Sequence, residues 1–187
     1  VRTLIKKQIQ NISNHSENHS CILQNSLGNY HVNLLDLTSE YNKFPPWELI
    51  LPEFNLSLSQ YKKNEYPSGF IKEKYTEIIA EYHEFILCFT DGSKNEFEYA
   101  GYAFSIDGKI TNFTAHKYSS IFNLEVSAIL HCLQKISTSK SPNKKFLIQS
   151  DSLSALLSIQ NKFSEHQLVH KIHQIIYKLQ TTDKIIK

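Results

Sequence analysis

Three carboxylates lie at the edge of, or inside, strongly apolar segments. They are Asp91 in Phe89-Thr90-Asp91-Gly92-Ser93, Glu125 in Asn123-Leu124-Glu125-Val126-Ser127-Ala128-Ile129, and Asp151 in Ile148-Gln149-Ser150-Asp151-Ser152-Leu153-Ser154-Ala155. A charged carboxylate is rarely buried unless it is paired or bound to a metal. A fold that buries these three segments must therefore supply a partner for three negative charges, and a divalent cation is the obvious one. Each acid also has an ordinary reading of its own. Asp91 before Gly-Ser is a turn residue at a strand end, Asp151 before Ser-Leu-Ser is a helix N-cap, and Glu125 is one half of a salt bridge with a lysine at the core edge.

The elements around the acids are well marked. Phe85-Ile86-Leu87-Cys88-Phe89 is a continuous apolar run ending in Asp-Gly-Ser, as expected for a strand covered on both faces. Tyr99–Ile106 and Lys109–His116 are strand-like runs joined by Asp107-Gly108. A two-residue turn of the favoured hand needs positive φ at both positions, and Asp-Gly supplies it. The first three strands are thus expected to be antiparallel neighbours. After Ser119 or Ser120 as N-cap, apolar residues recur at Ile121, Leu124, Ala128, Cys132, Leu133 and Ile136, a helical stripe that carries Glu125. Phe146-Leu147-Ile148 predicts a short strand, with Asp151 just past its end and Ser152 capping a helix from Leu153 to about Gln160. Ser164-Glu165-His166-Gln167 has the form of a capping box, and Leu168, Ile172, Ile175, Ile176 and Leu179 mark a further helix. Lys184–Lys187 begins a last strand.

The first half is less ordered in pattern. Residues 1–10 suit a short helix, and Asn11–Ser20, a polar run of Asn, Ser and His, is expected to be a linker. From about Leu34 to Tyr82 the pattern is irregular. Phe44-Pro45-Pro46-Trp47 predicts an extended or turn element, and only Phe70–Tyr82 has helical spacing.

A chain of 187 residues, 41% apolar, is long enough for one ordinary core or for one domain with an appendage. The formal charge of +2 is unevenly spread: residues 1–84 hold eight Lys and Arg against ten acids, and residues 85–187 hold twelve against eight. That surplus in the second half favours a polyanionic partner. Cys21, Cys88 and Cys132 are too few and too scattered for a disulfide framework and suit reduced thiols, hence an intracellular setting, cytoplasm or nucleus. No apolar run approaches the roughly 18 residues needed to cross a bilayer, so no membrane partner is expected. The chain contains no methionine, not even at position 1, and is expected to be a piece of a longer polypeptide.

Thr90-Asp91-Gly92-Ser93, a hairpin, a helix with Glu125, and Ser150-Asp151-Ser152 opening a second helix together resemble the ribonuclease H domain. Asp151-Ser152-Leu153-Ser154-Ala155-Leu156 is most similar to the version attached to reverse transcriptases of non-LTR retrotransposons. The acids are separated by 34 residues (91 to 125) and 26 residues (125 to 151), in family order. The resemblance covers about Glu84–Lys187. It implies an α/β fold, a ribonuclease H-like mixed sheet of three antiparallel strands and then a parallel strand, flanked by helices and preceded by an irregular N-terminal segment. Residues 84–187 would be this domain, lacking its last strand and helix. Residues 1–83 would be the tail of the reverse transcriptase, or its connection, with a linker, which makes that upstream enzyme a partner within one polyprotein.

The resemblance also implies an activity. The domain would be an endonuclease hydrolysing the RNA strand of RNA/DNA hybrids, leaving a 5′ phosphate and a 3′ hydroxyl. Asp91 would bridge two Mg²⁺ or Mn²⁺ ions, Glu125 would hold one ion and Asp151 the other, while Gly92, Ser93 and Ser152 would approach the nucleic acid. Hard cations of this kind prefer carboxylate oxygens and keep several waters. Two departures from the family pattern stand out. Ile121 and Phe122 replace polar amides ahead of the helical glutamate, with Asn123 the nearest amide. The family's fourth carboxylate, and the histidine loop before it, would fall beyond Lys187, so the chain is expected to bind metal weakly and cleave poorly. The alternative is a catalytically inactive module of the same fold that binds nucleic acid or supports the polymerase. An integrase or exonuclease on this fold fits the Thr-Asp-Gly-Ser motif less well. His116, His131, His166, His170 and His173 lack a third ligand for zinc and are expected to face solvent. Lys140, Lys144 and Lys145 are equally suited to phosphate contact or a solvated loop.

Overall fold

The computed structural model describes residues 44–61, 64–95, 99–140 and 144–187. The helix expected over 1–10, the 11–20 linker and Cys21 lie outside them. The sheet is built from β1 (Ile86–Lys94), β2 (Ala100–Ile106), β3 (Lys109–Ala115), β4 (Lys145–Ser150) and β5 (Ile185–Ile186), in the order β3-β2-β1-β4-β5. β1, β2 and β3 are antiparallel, whereas β4 pairs parallel to β1 and β5 parallel to β4. This is the mixed sheet that the sequence resemblance implies. The β2–β3 turn takes the expected form: Ile106 pairs with Lys109, and the two residues between them, Asp107 and Gly108, have φ of 51° and 75°. Only glycine, and short polar residues such as Asp, adopt that region at little cost.

The helices are α1 (Ser68–Ala80), α2 (Ile121–Thr138), α3 (Leu153–Gln160) and α4 (Gln167–Leu179). Ser120 caps α2, its hydroxyl accepting the Asn123 amide at 3.1 Å. The apolar surface of α2 is wider than the expected stripe. Cys132 and Ile136 pack with Cys88, Phe104 and Phe146 of the sheet, whereas Val126, Ile129 and Leu130 join Ile172 and Ile176 of α4 in a second cluster. A helix between two layers needs two apolar faces. Ile121, assigned to the stripe from its spacing, is instead half exposed at the first turn.

β1 differs from its expected extent. Asp91, Gly92 and Ser93 continue the strand to Lys94, because β2 pairs along the whole length, from Cys88↔Ile106 to Lys94↔Ala100. The Ser164 capping box does not form. α4 begins at Gln167 with His166 as its cap residue and no side-chain cap bond, because the buried Ser164 hydroxyl accepts the His166 amide at 3.4 Å and lies 3.3 Å from the Ser158 hydroxyl.

Residues upstream of the expected boundary at 84 contribute to the core. Phe44 and Leu49 are buried in the cluster with α4, the Phe44 ring stacks on Tyr177 at 4.8 Å, and Tyr177 donates to Glu48 at 3.2 Å. Phe44–Lys187 forms one compact unit. Pro46–Glu48 is a single 3-10 turn, in keeping with the expected turn element. Cys88 and Cys132 are buried thiols as expected, and the hydrogen bond with Cys88, then burial, pushes the Cys132 thiol far above the usual range. Lys144 and Lys145 are engaged in surface ion pairs with Asp183 and Glu84. Among the described residues no helix is long and apolar enough to cross a membrane.

His173 corrects the expectation of a solvent-facing side chain. It is buried, and its Nε2 lies 2.7 Å from the Ile159 carbonyl, which accepts its proton. Burial, with a smaller contribution from His170, holds its pKa below the ordinary 6.5 despite the opposing effect of the carbonyl. The neutral ring is therefore favoured in the folded state. Its contribution to stability is complete above about pH 6.5 and declines as the pH falls toward the depressed folded value, since only the unfolded chain takes up the proton in that window. Urea melts from pH 7.5 to 5 are expected to show this decline, and His173→Phe to flatten it. An unchanged slope in the variant would contradict the assignment.

Candidate metal centre

Strand alternation decides where the first carboxylate sits. Cys88 packs with Cys132 of α2, and a Cβ built on Gly92 would lie 2.7 Å from the Glu125 amide nitrogen and 2.9 Å from the Leu124 carbonyl carbon. Residues 88, 90 and 92 therefore face α2, and Phe89 and Asp91 face the opposite side of the sheet. The missing side chain at Gly92 lets the first turn of α2 rest directly on β1. Glu125 follows that turn directly, so its height above the strand is set by Gly92.

The other side of the site is an opening in the sheet. Pairing of β1 with β4 ends at Thr90↔Ser150, and Asp151 follows immediately. The cap of α3 is Ser152, whose hydroxyl accepts the Ala155 amide at 3.4 Å, while the Ser152 amide donates to the Ser150 hydroxyl at 3.2 Å. Two ordinary readings are thereby removed: Asp91 lies within a strand rather than a turn, and Asp151 is not the helix cap.

The structure brings all three sequence-predicted acids together. One oxygen each from Asp91, Glu125 and Asp151 lies within 4.8 Å of the others. Asp91 and Glu125 are 4% and 5% exposed, whereas Asp151 is open to solvent. Asp91 Oδ2 and Glu125 Oε2 are shut off from solvent and accept no hydrogen bond at those atoms, although both residues make other contacts. Three like charges at this separation repel strongly where water is excluded. A hard divalent ion fits the donor set. Oxygens on opposite sides of one Mg²⁺ are about 4.2 Å apart, and a two-ion site spans about 3.5 to 4 Å between metals, so closure by a fraction of an ångström suffices. Among the described residues this is the one cluster of His, Cys, Asp and Glu with ligand spacing. His170 and His173 have ring centroids 6.5 Å apart, and His173 is engaged with Ile159.

Of the residues expected to touch nucleic acid, Ser93 is exposed, Ser152 is partly exposed, and Gly92 is buried against α2. Lys144 and Lys145 stand at the start of β4, and Asp151 follows the end of that six-residue strand, roughly 20 Å along it. They do not border the acids. Two neighbours were not anticipated. The Thr90 hydroxyl donates to the Gln149 carbonyl at 3.3 Å, and Tyr75 of α1 donates to Gln149 Oε1 at 2.7 Å. Alternation on β4 turns Gln149 away from α2, on whose side Phe146 and Ile148 pack. Nothing in the sequence links Tyr75 to it across 74 residues.

No family model and no curated protein matches the chain. Among solved structures it is similar to LC11-RNase H1, determined in complex with an RNA/DNA hybrid, at 16% identity and a TM-score of 0.42, over 55% of this chain and 83% of that one.

Gly92→Ala is expected to push α2 off β1, because the added methyl meets backbone atoms that cannot rotate away. Overpacking of this kind costs about 1–3 kcal/mol. A urea melt should show that loss, with Mn²⁺ binding weakened in the folded protein. Wild-type stability together with wild-type Mn²⁺ affinity would refute the role given to Gly92.

Proposed function

We propose that this protein is a divalent-metal-dependent endonuclease that hydrolyses the RNA strand of RNA/DNA hybrids and is part of a retrotransposon polyprotein, downstream of a reverse transcriptase. The observation that carries the reading is the approach of Asp91, Glu125 and Asp151 to within 4.8 Å at the open end of the sheet. Its sequence support is the order of the Thr-Asp-Gly-Ser, helical Glu and Ser-Asp-Ser motifs. As the resemblance implies, Asp91 is the candidate bridging ligand, and Glu125 and Asp151 would each hold one ion. Bound there, Mg²⁺ or Mn²⁺ ions would lower the pKa of the attacking water and stabilise the leaving 3′ oxygen.

The chain's own residues account for the rest of the site. Burial of Asp91 and Glu125 keeps their oxygens in a dry environment in which electrostatic contacts are strong. The exposed Asp151 leaves one side open to a phosphodiester. Beyond Thr90 the β4-facing edge of β1 has no paired strand among the described residues, so the main chain at Gly92 and Ser93 borders the opening, with Ser152 across from it. Main-chain and hydroxyl groups of this kind suit the 2′-hydroxyls and phosphates of a wide minor groove, which distinguish RNA from DNA.

The test is cleavage of a hybrid carrying 5′-labelled RNA, assayed in the natural full-length polypeptide. Mg²⁺-dependent products ending in a 3′ hydroxyl are expected. Asp91→Asn is expected to lower the rate by more than the roughly 10- to 100-fold typical of outer-shell changes. Undiminished cleavage in that variant would remove the assigned site. Hybrid binding without turnover would instead support the second reading, an inactive module of the same fold, to which Ile121 and Phe122 in place of polar amides point.

A further inference from the structure

β3 is the outer strand of the sheet, and its far side meets solvent. The two-residue turn closes on the Ile106–Lys109 pair, so the main-chain bonds to β2 fall at Lys109, Thr111, Phe113 and Ala115. The N–H and C=O groups of Ile110, Asn112 and Thr114 therefore point out of the edge. All three residues are exposed, and no hydrogen bond from another segment of the described residues reaches them. Exposed edges are commonly blunted by proline, a bulge, a mid-strand charge or shortness. β3 has none of these. It runs seven residues in unbroken register with β2, and its one charge, Lys109, stands at the end beside the turn.

The edge is also complementary to itself. If two β3 strands pair antiparallel about a two-fold axis at Asn112, Ile110 comes opposite Thr114 of the second copy and Asn112 opposite its own counterpart. This register uses all three outward-facing residues within the strand. On the α2 side of the sheet it sets Thr111 opposite Phe113 of the second copy. That ring is half-buried, stacks on Tyr102 at 5.0 Å and lies 4.9 Å from the ring of His131. Aromatic and β-branched residues paired in this way stabilise antiparallel strands. No like charges meet: Lys109 faces Ala115, and beyond the strand ends the same register carries Asp107 of the turn toward Lys117 of the second copy. An edge of this kind accepts an added strand, and a two-fold contact closes on itself.

We infer that β3 is a self-association surface, through which two copies of this chain pair antiparallel about Asn112 and join their sheets into one. Asp91 pairs with Ala103, and Ala103 with Asn112. The axis would thus set the two β1 strands five spacings apart, roughly 24 Å at about 4.8 Å per strand. Both candidate metal centres would then lie in one continuous sheet. The pairing itself needs no metal and stands apart from the reading of the three acids.

Sedimentation velocity of the 187-residue protein over about 1 to 100 μM, the range in which a micromolar complex forms, is expected to show a monomer in equilibrium with a dimer. A monomer throughout would overturn the inference. Hydrogen exchange at the amides of Ile110, Asn112 and Thr114 is expected to slow as the dimer forms, while Thr111 and Phe113, already bonded to β2, change little. A dimer in which those three amides exchange at the monomer rate would place the contact elsewhere and would also overturn it. Asn112→Lys sets two like charges face to face on the axis and is expected to raise the dimer dissociation constant about 10-fold or more. Its melting temperature checks that the variant folds. Mixing it with Asn112→Asp is expected to restore pairing as a heterodimer. Undiminished association of folded Asn112→Lys alone, or no pairing in the mixture, would contradict the assigned register.

Discussion

Repulsion among three carboxylates at the end of the sheet is the interaction around which the rest of the structure is arranged. Two of them are buried, where water cannot screen them. Their approach is produced by features that have no charge at all. Gly92 removes the side chain that would hold α2 away from β1, and β4 stops one residue short of Asp151. Packing on both faces of α2 then fixes Glu125 where it stands. The core thus holds together a set of like charges that would separate in its absence, and their arrangement fits a divalent cation.

The same packing draws residues upstream of the motifs into the core. Phe44 and Leu49 fill the second core cluster beside α4, and Glu48, Tyr177 and Gln180 close the contact with polar bonds. Tyr75 reaches the sheet from the same upstream half. A segment that contributes buried aromatic and aliphatic surface is part of the folding unit.

Local rules made most of the second half legible. Asp107-Gly108 specified its turn through positive φ, Ser120 and Ser152 capped the helices expected of them, and the apolar run before Asp91 marked the central strand. The three acids were legible because charge on an apolar element is conspicuous. The misses share a cause in long-range contact. Pairing with β2 carried β1 through Gly92, which by itself reads as a strand end. Ser164 had a hydroxyl partner in Ser158 that no capping pattern reveals, and His173 found a carbonyl on the preceding helix. Phe44 acquires its place in the core only from neighbours distant in the chain.

The most direct measurement is the anomalous scattering of Mn²⁺ in crystals of the protein. Coordination by Asp91, Glu125 and Asp151 predicts a peak between them, about 2.1 Å from the nearest carboxylate oxygens. A fully soaked crystal with no peak between these residues, or with Mn²⁺ bound only elsewhere, would contradict the account.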